Sequence, residues 1–167
     1  QTFVEEDFGL NRIETVEFRD VSFRYEGAEK EMLRNVNFTA KTGEKIAIIG
    51  STGAGKSTMM NLLLRFLDAT SGEVLYNGIN IQKFTEKELR NQIAYVPQNR
   101  LLFAGTIRDN LRFGNENATD EEMIEALKLA EAWEFVSGLE DGLDAQVEQK
   151  GDNFSGGQKQ RLSIARA

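Results

Sequence analysis

The sequence contains no cysteine and no histidine, and its 167 residues include a single proline, Pro97. Without cysteine there is neither a disulfide framework nor a thiol nucleophile, so a reducing, cytosolic environment is the default expectation. The lack of histidine removes the commonest general base, because histidine titrates near neutral pH. Any proton chemistry would therefore fall to carboxylates or to water.

Long apolar runs and an excess of basic residues are missing as well. The apolar runs are far shorter than a membrane span, and the N-terminus lacks the basic-then-apolar pattern of a signal peptide, so another segment or chain would have to reach any membrane. The formal net charge of −7 argues against a nucleic-acid partner, which needs a basic face. Hydrophobic residues at 40% and charged residues at 28% are near globular averages, so we expect one folded domain.

The most informative stretch covers residues 45–66, which read KIAIIGSTGAGKSTMMNLLLRF. The apolar run Ile46–Ile49 predicts a buried strand. Gly50, four further residues and then Gly55–Ser57 have the spacing of a phosphate-binding loop. The apolar residues that follow are dense and free of proline, which predicts a mostly buried helix beginning near Lys56.

Each residue type in this loop has a physical reason to be there. Gly50, Gly53 and Gly55 allow positive φ and a close approach to a ligand, so that successive backbone N–H groups can point into one anion-binding concavity. The helix start adds its positive dipole end, Lys56 adds a full charge, and the Ser57 hydroxyl is placed to ligate Mg²⁺. The loop therefore predicts a nucleoside triphosphate site; the alternative is a glycine-rich turn without a ligand.

The first half of the sequence is patterned for antiparallel strands. Apolar and polar residues alternate in four segments, at 13–25, 32–40, 73–76 and 79–81. The alternation slips once near Asp20, which predicts two short strand segments with a bulge or turn between them. Asn77-Gly78 is a two-residue hairpin signal. We expect a small antiparallel sheet beside the nucleotide.

The second half is patterned mainly for helices. Capping boxes predict three helix starts, at Thr85/Glu88, Thr106/Asp109 and Thr119/Glu122. The first of these helices should end near Asn91, and the third should run from Asp120 to about Ala132. Residues 93–96 predict another buried strand, closed by Pro97 and followed by a loop that carries Gln98. The apolar stripe of the third helix and the residues after it are predicted core side chains of a helical lobe, namely Met123, Leu127, Ala130, Trp133, Phe135 and Val136. The alternative for the last three is a ligand-stacking role.

A second glycine-bearing helix start is predicted at Ser155. Ser155 is a natural N-cap, and Gly156 and Gly157 in the first turn expose backbone N–H groups ahead of a basic helix. This segment indicates either a second anion-facing helix start or, on composition alone, a flexible cap.

Together these motifs resemble the ATPase domain of ATP-binding cassette (ABC) transporters. The resemblance rests on the phosphate loop 50–57, the lone Gln98 after a strand, and Ser155-Gly156-Gly157-Gln158 opening a helix, and it covers the chain from about residue 13 to the end. Residues 102–110, LFAGTIRDN, resemble the exporter branch, in which the ATPase follows a membrane domain on the same polypeptide. The implied fold class is an α/β P-loop NTPase of ABC type, with a mixed central sheet, an antiparallel β subdomain and a helical subdomain, incomplete at the C-terminus.

The resemblance also implies a division of the chain. Residues 1–12 would be a linker from a membrane domain and residues 13–167 the ATPase domain. Within it, residues 13–92 would form the antiparallel β and P-loop core, and residues 93–167 the Q-loop, helical subdomain and signature helix.

The resemblance assigns roles residue by residue. Tyr25 would stack on the adenine of ATP, or else be a strand-end core aromatic. Lys56 and Gln98 would be catalytic, and Ser57 and Gln98 would reach Mg²⁺; the alternative for Gln98 is a polar loop residue without such a role. The phosphates would be wrapped by Ser51, Thr52, Gly53, Ala54, Gly55, Lys56, Ser57 and Thr58. The signature residues would close over the ATP of a partner subunit, and they are Ser155, Gly156, Gly157 and Gln158.

The implied partners are a second ABC ATPase domain, in a homodimer or heterodimer arranged head to tail, and a transmembrane domain, with no nucleic acid. The implied location is the cytoplasmic face of the cell membrane. Residues 147–151 resemble the exporter loop that contacts the membrane domain, but Gln149 and Lys150 replace its usual acidic and arginine positions. Phe154 stands where leucine is commoner.

The implied function is ATP hydrolysis coupled to export. The sequence ends at Ala167, before the family's Mg²⁺-supporting aspartate, water-polarising glutamate and switch histidine, so we expect a truncated chain that binds nucleotide weakly and hydrolyses almost none. Two alternatives stay open: a half-site that holds ATP without efficient hydrolysis in an asymmetric ABC pair, and an unrelated P-loop kinase. The kinase leaves residues 155–158 unexplained.

Overall fold

A computed structural model describes residues 9–99 and 101–167. The predicted linker, residues 1–12, thus lies mostly outside the described residues. The chain divides into two compact units, Gln1–Ile93 and Ala94–Ala167, and each has a hydrophobic core of its own. Of the helices in the described ranges, none combines the length and apolar character needed to cross a bilayer.

The first unit is built on a four-stranded antiparallel sheet. Its strands are β1 (Thr15–Phe23), β2 (Leu33–Lys41), β3 (Ser71–Tyr76) and β4 (Ile79–Asn80), in the order β2-β1-β3-β4. In the register, Phe18 faces Phe38 on β2 and Val74 on β3. The predicted antiparallel sheet and the Asn77-Gly78 hairpin are confirmed.

The predicted phase slip in β1 is a bulge within one continuous strand. The register shifts after Phe18, and Asp20 adopts φ +49°. The Asn37 side chain braces the bulge, because it accepts from the Asp20 backbone N–H and donates to the Asp20 carboxylate, both at 2.9 Å. The slip returns Val21 and Phe23 to the buried face of the sheet.

Two helices pack in the first unit. Helix α1 (Lys56–Leu63) begins where the sequence predicts, and α2 (Glu86–Gln92) opens with the predicted Thr85/Glu88 capping box. A single turn of 3₁₀-helix, Ile81–Lys83, precedes α2. The core under the sheet joins strand and helix residues, including Phe18, Val21, Leu33, Leu62, Val74, Tyr76, Phe84 and Leu89.

The two strands predicted at 46–49 and 93–96 are wrong. Both segments are irregular, and Ile46 and Ile49 are 54% and 93% exposed. A parallel-sheet strand is held by ladders to its neighbours, and no segment of the described chain pairs with either stretch. Apolar composition therefore predicted both a strand and its burial at these two segments, and the structure shows neither.

The second unit is mainly helical. It contains α3 (Ile107–Arg112), α4 (Asp120–Leu129), α5 (Trp133–Ser137) and α6 (Gly156–Arg166). A two-residue antiparallel ribbon pairs β5 (Gly105–Thr106) with β6 (Gln146–Val147). Single 3₁₀ turns cover Gly142–Asp144 and Gln149–Gly151.

The helix signals of the second unit are confirmed. Capping boxes open α3, α4 and α6, and the α4 stripe lies in a core that includes Leu102, Ile107, Leu111, Met123, Leu127, Ala130, Val136, Val147 and Leu162, with Trp133 and Phe135 packed against it. Helix α4 ends three residues earlier than predicted. Glu131 takes φ +56°, and the Ala132 N–H donates to the Leu127 carbonyl at 2.7 Å, which closes the helix with a left-handed cap.

Arg108 joins three parts of this unit. Its guanidinium donates to the carboxylates of Asp120, at the start of α4, and of Asp144, at 2.8 Å from Nε to Oδ1. These hydrogen bonds, the leading cause in each case, lower the pKa of both aspartates below the ordinary value. Arg108 therefore links α3 to α4 and to the 3₁₀ turn at 142–144.

This linkage predicts a pH dependence. A carboxylate whose pKa is lower in the folded chain stabilises folding above its unfolded pKa, and the contribution disappears as the pH falls through the folded value. We expect Arg108→Gln to reduce stability at pH 7 and to flatten the loss of stability on acidification from pH 5 to pH 2. Urea unfolding across this pH range measures both effects. Arg90→Gln removes an exposed pair with Glu86 and should change little; equal acid profiles for the two variants would contradict the prediction.

Two glycines with the same backbone angle give a steric test of the sheet. Gly72 has φ +77° and Gly78 has φ +76°, yet a Cβ on Gly72 would lie 2.2 Å from the Asp20 carbonyl oxygen, whereas a Cβ on Gly78 meets nothing within 4 Å. We expect Gly78→Ala to cost about 1–2 kcal/mol for the left-handed backbone. Gly72→Ala should cost about 1–3 kcal/mol more because the β1 backbone must move. Equal losses in denaturant unfolding would refute the close contact.

Candidate phosphate-binding site

The predicted phosphate loop is a turn that leads directly into α1. Gly53 and Gly55 have φ +80° and +95°, as predicted. Gly50 does not take a positive φ, which corrects that part of the prediction; a Cβ there would instead lie 3.0 Å from the Ala54 Cβ. A glycine at position 50 thus lets the two ends of the loop, at Gly50 and Ala54, approach each other closely.

Gly55 seats the loop against the start of β2. A Cβ on Gly55 would lie 2.8 Å from Leu33 Cδ2 and 3.2 Å from the Met32 carbonyl oxygen. Since only glycine tolerates both this contact and φ +95°, the loop and the sheet fix each other.

The N-terminus of α1 differs from most other helix starts in the described chain. Its N-cap is Gly55, no side chain caps it, and its first turn contains no acidic residue. By contrast, side chains cap α2, α3, α4 and α6 in reciprocal boxes. Backbone N–H groups at a helix start without a side-chain acceptor suit an anion.

Lys56 places its charge inside the curve of the loop. Its Nζ donates to the carbonyl oxygens of Gly50 and Ser51, the latter at 2.8 Å. Ser57 is exposed, whereas Thr58 is only 3% exposed. A cation, a hydroxyl and a set of amides therefore lie within one loop.

Tyr25 lies beside this loop although it is 33 residues from Thr58. Its hydroxyl is 2.9 Å from Thr58 Oγ1, and its ring packs edge-on against Phe23 at 4.8 Å between centroids. The ring is still 41% exposed. The aromatic residue expected to stack on a base is thus next to the residues expected to hold phosphates, and the hydroxyl pair had no signal in the sequence.

The other predicted site residues belong to the second unit. Gln98 is exposed at a bend directly after Pro97. Ser155 is the N-cap of α6: its hydroxyl accepts from the Gln158 N–H at 3.1 Å, and the Gln158 side-chain oxygen accepts from the Ser155 N–H at 3.0 Å. Gly156 and Gly157 are exposed. The predicted N-cap role of Ser155 is confirmed as a capping box.

Aromatic and polar contacts hold the start of α6. The Phe154 ring lies 6.2 Å from that of Phe135, and the Arg161 guanidinium lies 5.4 Å over the same Phe135 ring. Sequence reasoning missed Asn153, whose side chain accepts from the Glu148 N–H and donates to the Gln146 carbonyl oxygen. Asparagine side chains commonly bond to nearby backbone groups in loops, and this tendency is the only feature of the sequence that indicates such a role for Asn153.

Comparison with known proteins identifies the family to which the chain is similar. The sequence model of the ABC transporter family matches residues 33–167. A "Putative multidrug export ATP-binding/permease protein" of Staphylococcus aureus is 46% identical over 90% of this chain and 26% of its own length. The "Uncharacterized ABC transporter ATP-binding protein YfiB" of Bacillus subtilis is 49% identical over 91% of this chain and 26% of its own. A solved structure of a bacterial Atm1-family ABC exporter with ATP bound matches with a TM-score of 0.85 and 38% identity, covering 92% of this chain and 27% of that one.

The chain belongs to the ABC transporter family and has the ABC ATPase fold. The Staphylococcus aureus relative carries a multidrug-export name and the Bacillus subtilis relative an ABC transporter name, and the chain spans about a quarter of the length of each. Family membership removes the alternative of an unrelated P-loop kinase.

The capping box of α6 generates a stability prediction. Ser155→Ala removes the acceptor for the Gln158 N–H and should lower the free energy of unfolding by about 1 kcal/mol. Ser155→Asp keeps an acceptor and should retain most of the stability. Thermal or urea unfolding of both variants measures this, with Ser137→Ala, at the exposed end of α5, as the control. An alanine variant as stable as the aspartate variant would show that the cap contributes nothing.

Proposed function

We propose that this chain is the ATP-binding part of an ABC exporter, which couples ATP binding and hydrolysis to transport across a membrane. The observation that carries the proposal is the start of α1, where amides without a side-chain cap, the Lys56 ammonium and a glycine in close contact converge. The named relatives support it, since one is a multidrug export ATP-binding/permease protein and another is an exporter solved with ATP bound.

The loop residues have distinct roles in this proposal. The backbone of residues 51–58 wraps the phosphates, and Lys56 neutralises their charge. Tyr25 offers its exposed ring to the adenine. Phosphoryl transfer depends on positioning and charge neutralisation, so these residues act mainly by holding the phosphates in place.

Mg²⁺ fits this site only in part. Ser57 would supply one oxygen ligand from the phosphate loop, and Gln98, by the family resemblance alone, would be a further ligand. Within residues 9–99 and 101–167 no group of three or more acidic side chains could hold a metal ion. Mg²⁺ bound with ATP ordinarily keeps several waters and takes phosphate oxygens, which is compatible with so few protein ligands.

The partners in the proposal are a second ATPase domain and a membrane domain at the cytoplasmic face of the cell membrane. Ser155, Gly156, Gly157 and Gln158 would contact the γ-phosphate of ATP held by the partner domain in a head-to-tail dimer. Ser155, Gly156 and Gly157 are exposed, and their place at the start of a helix with Lys159 and Arg161 supports this role. The membrane helices of the complete protein would select the substrate.

A second candidate is a half-site that holds ATP without efficient hydrolysis. Both candidates bind ATP at the same phosphate loop, and they differ only in whether the bound ATP is hydrolysed efficiently. The complete protein distinguishes the two candidates through its rate of ATP turnover.

The test of the proposed function is Lys56→Ala in the complete protein. Removing a charged hydrogen-bond donor from the phosphates should weaken MgATP binding by about ten- to a hundredfold, measured by calorimetry. Lys45→Ala removes an exposed lysine outside the loop and should leave affinity unchanged.

Ser155→Ala provides the complementary test of the dimer role. It should retain MgATP affinity, since Ser155 is not in the phosphate loop, while lowering steady-state ATP hydrolysis. Unchanged affinity in Lys56→Ala would overturn the nucleotide site. Unchanged hydrolysis in Ser155→Ala would overturn the role of the signature residues.

A further inference from the structure

We propose that Thr58 is a positioning residue for Tyr25. One hydrogen bond between their hydroxyls would then couple the binding of the adenine base at Tyr25 to the phosphate loop that ends at Thr58. This inference rests on the proposed function, because it concerns how the same ATP site is assembled. Its basis is the pair of hydroxyls, 2.9 Å apart, in which either oxygen can donate to the other.

The two partners are held very differently. Thr58 is 3% exposed in the first turn of α1, whereas Tyr25 is 41% exposed and lies two residues past the end of β1. A buried hydroxyl on a helix is a fixed point, and an exposed tyrosine ring is free to change rotamer unless something holds it. The hydrogen bond to Thr58 therefore restricts the Tyr25 ring to one orientation relative to α1.

A second contact fixes the direction of the ring. Phe23, which is 6% exposed, packs at an interplanar angle of 89° against Tyr25. The ring is thus held at one end through its hydroxyl, and the Phe23 ring packs against it in a T-shaped arrangement. The exposed remainder is the surface that a base could cover.

The backbone that carries Tyr25 is anchored to the same loop. The Ala28 N–H donates to the Tyr25 carbonyl at 3.0 Å, and the Met32 N–H donates to the Phe23 carbonyl at 2.8 Å, closing the connection between β1 and β2. Met32 and Leu33, at the far end of this connection, are the groups that Gly55 contacts. The segment bearing the ring thus touches the phosphate loop at Gly55 and at Thr58.

Pre-positioning has a definite consequence for binding. A ring that is already ordered loses less conformational freedom when a base stacks on it, so the ligand gains affinity. A neutral hydrogen bond of ordinary strength corresponds to about a two- to tenfold change in affinity. The gain should appear only with ligands that have a base, and inorganic tripolyphosphate should not show it.

The experiment is a double-mutant cycle in the complete protein with Tyr25→Phe, Thr58→Val and the double variant. Affinities for MgATP and for Mg-tripolyphosphate are measured by calorimetry. For MgATP, the combined loss should be two- to tenfold smaller than the product of the single losses, because both substitutions remove the same bond. For tripolyphosphate, Tyr25→Phe should have no effect and the losses should multiply.

Thr58→Ser is the matched control, since it keeps the hydroxyl and should keep the coupling to Tyr25. If Thr58→Val does not fold, Thr58→Ala takes its place in the cycle, because it also removes the hydroxyl that contacts Tyr25. Losses that multiply for MgATP, or equal effects on both ligands, overturn it while MgATP still binds. Failure of the unmodified protein to bind MgATP would instead overturn the proposed function.

Discussion

The contact of Gly55 with the start of β2 is the constraint on which the site depends. A left-handed residue with Leu33 Cδ2 only 2.8 Å from where its Cβ would be admits no side chain, so the phosphate loop is seated directly on the sheet. That seating sets where α1 begins and leaves its first amides without a side-chain cap. It also brings the connection between β1 and β2, and Tyr25 with it, against the loop. The positions of the phosphate loop and of the Tyr25 ring thus both depend on the close contact between Gly55 and Leu33.

Features fixed by nearby residues could be predicted from the sequence. The capping boxes at Thr85, Thr106 and Thr119 join positions three residues apart, and the Asn77-Gly78 turn needs only its own two residues. The slip at Asp20 could be predicted because side chains of a strand alternate between the two faces of the sheet. One extra residue therefore reverses the alternation of apolar and polar residues that follows it. The phosphate loop was equally readable, since its glycines and Lys56 lie within one short stretch.

Features fixed by distant partners could not be predicted in this way. Residues 46–49 have the composition of a buried strand, but a strand exists only with a ladder, and the described chain supplies none. The bond between Tyr25 and Thr58 spans 33 residues and joins two side chains whose types are common in many settings. Asn153 bonds to the backbone of Gln146 and Glu148, beside the ribbon that pairs β5 with the distant β6. In each case the missing information was three-dimensional proximity.

The two glycine-bearing helix starts differ in a way that bears on their roles. At α1 the cap is a glycine, so the amides themselves remain for an anion. At α6 the Ser155 oxygen already accepts from the Gln158 N–H, but a hydroxyl also carries a proton that it can donate. An aspartate in that position would cap equally well and would repel a phosphate. Serine is therefore the residue that satisfies both the helix and the proposed contact with a partner's γ-phosphate, whereas fold stability alone would accept either.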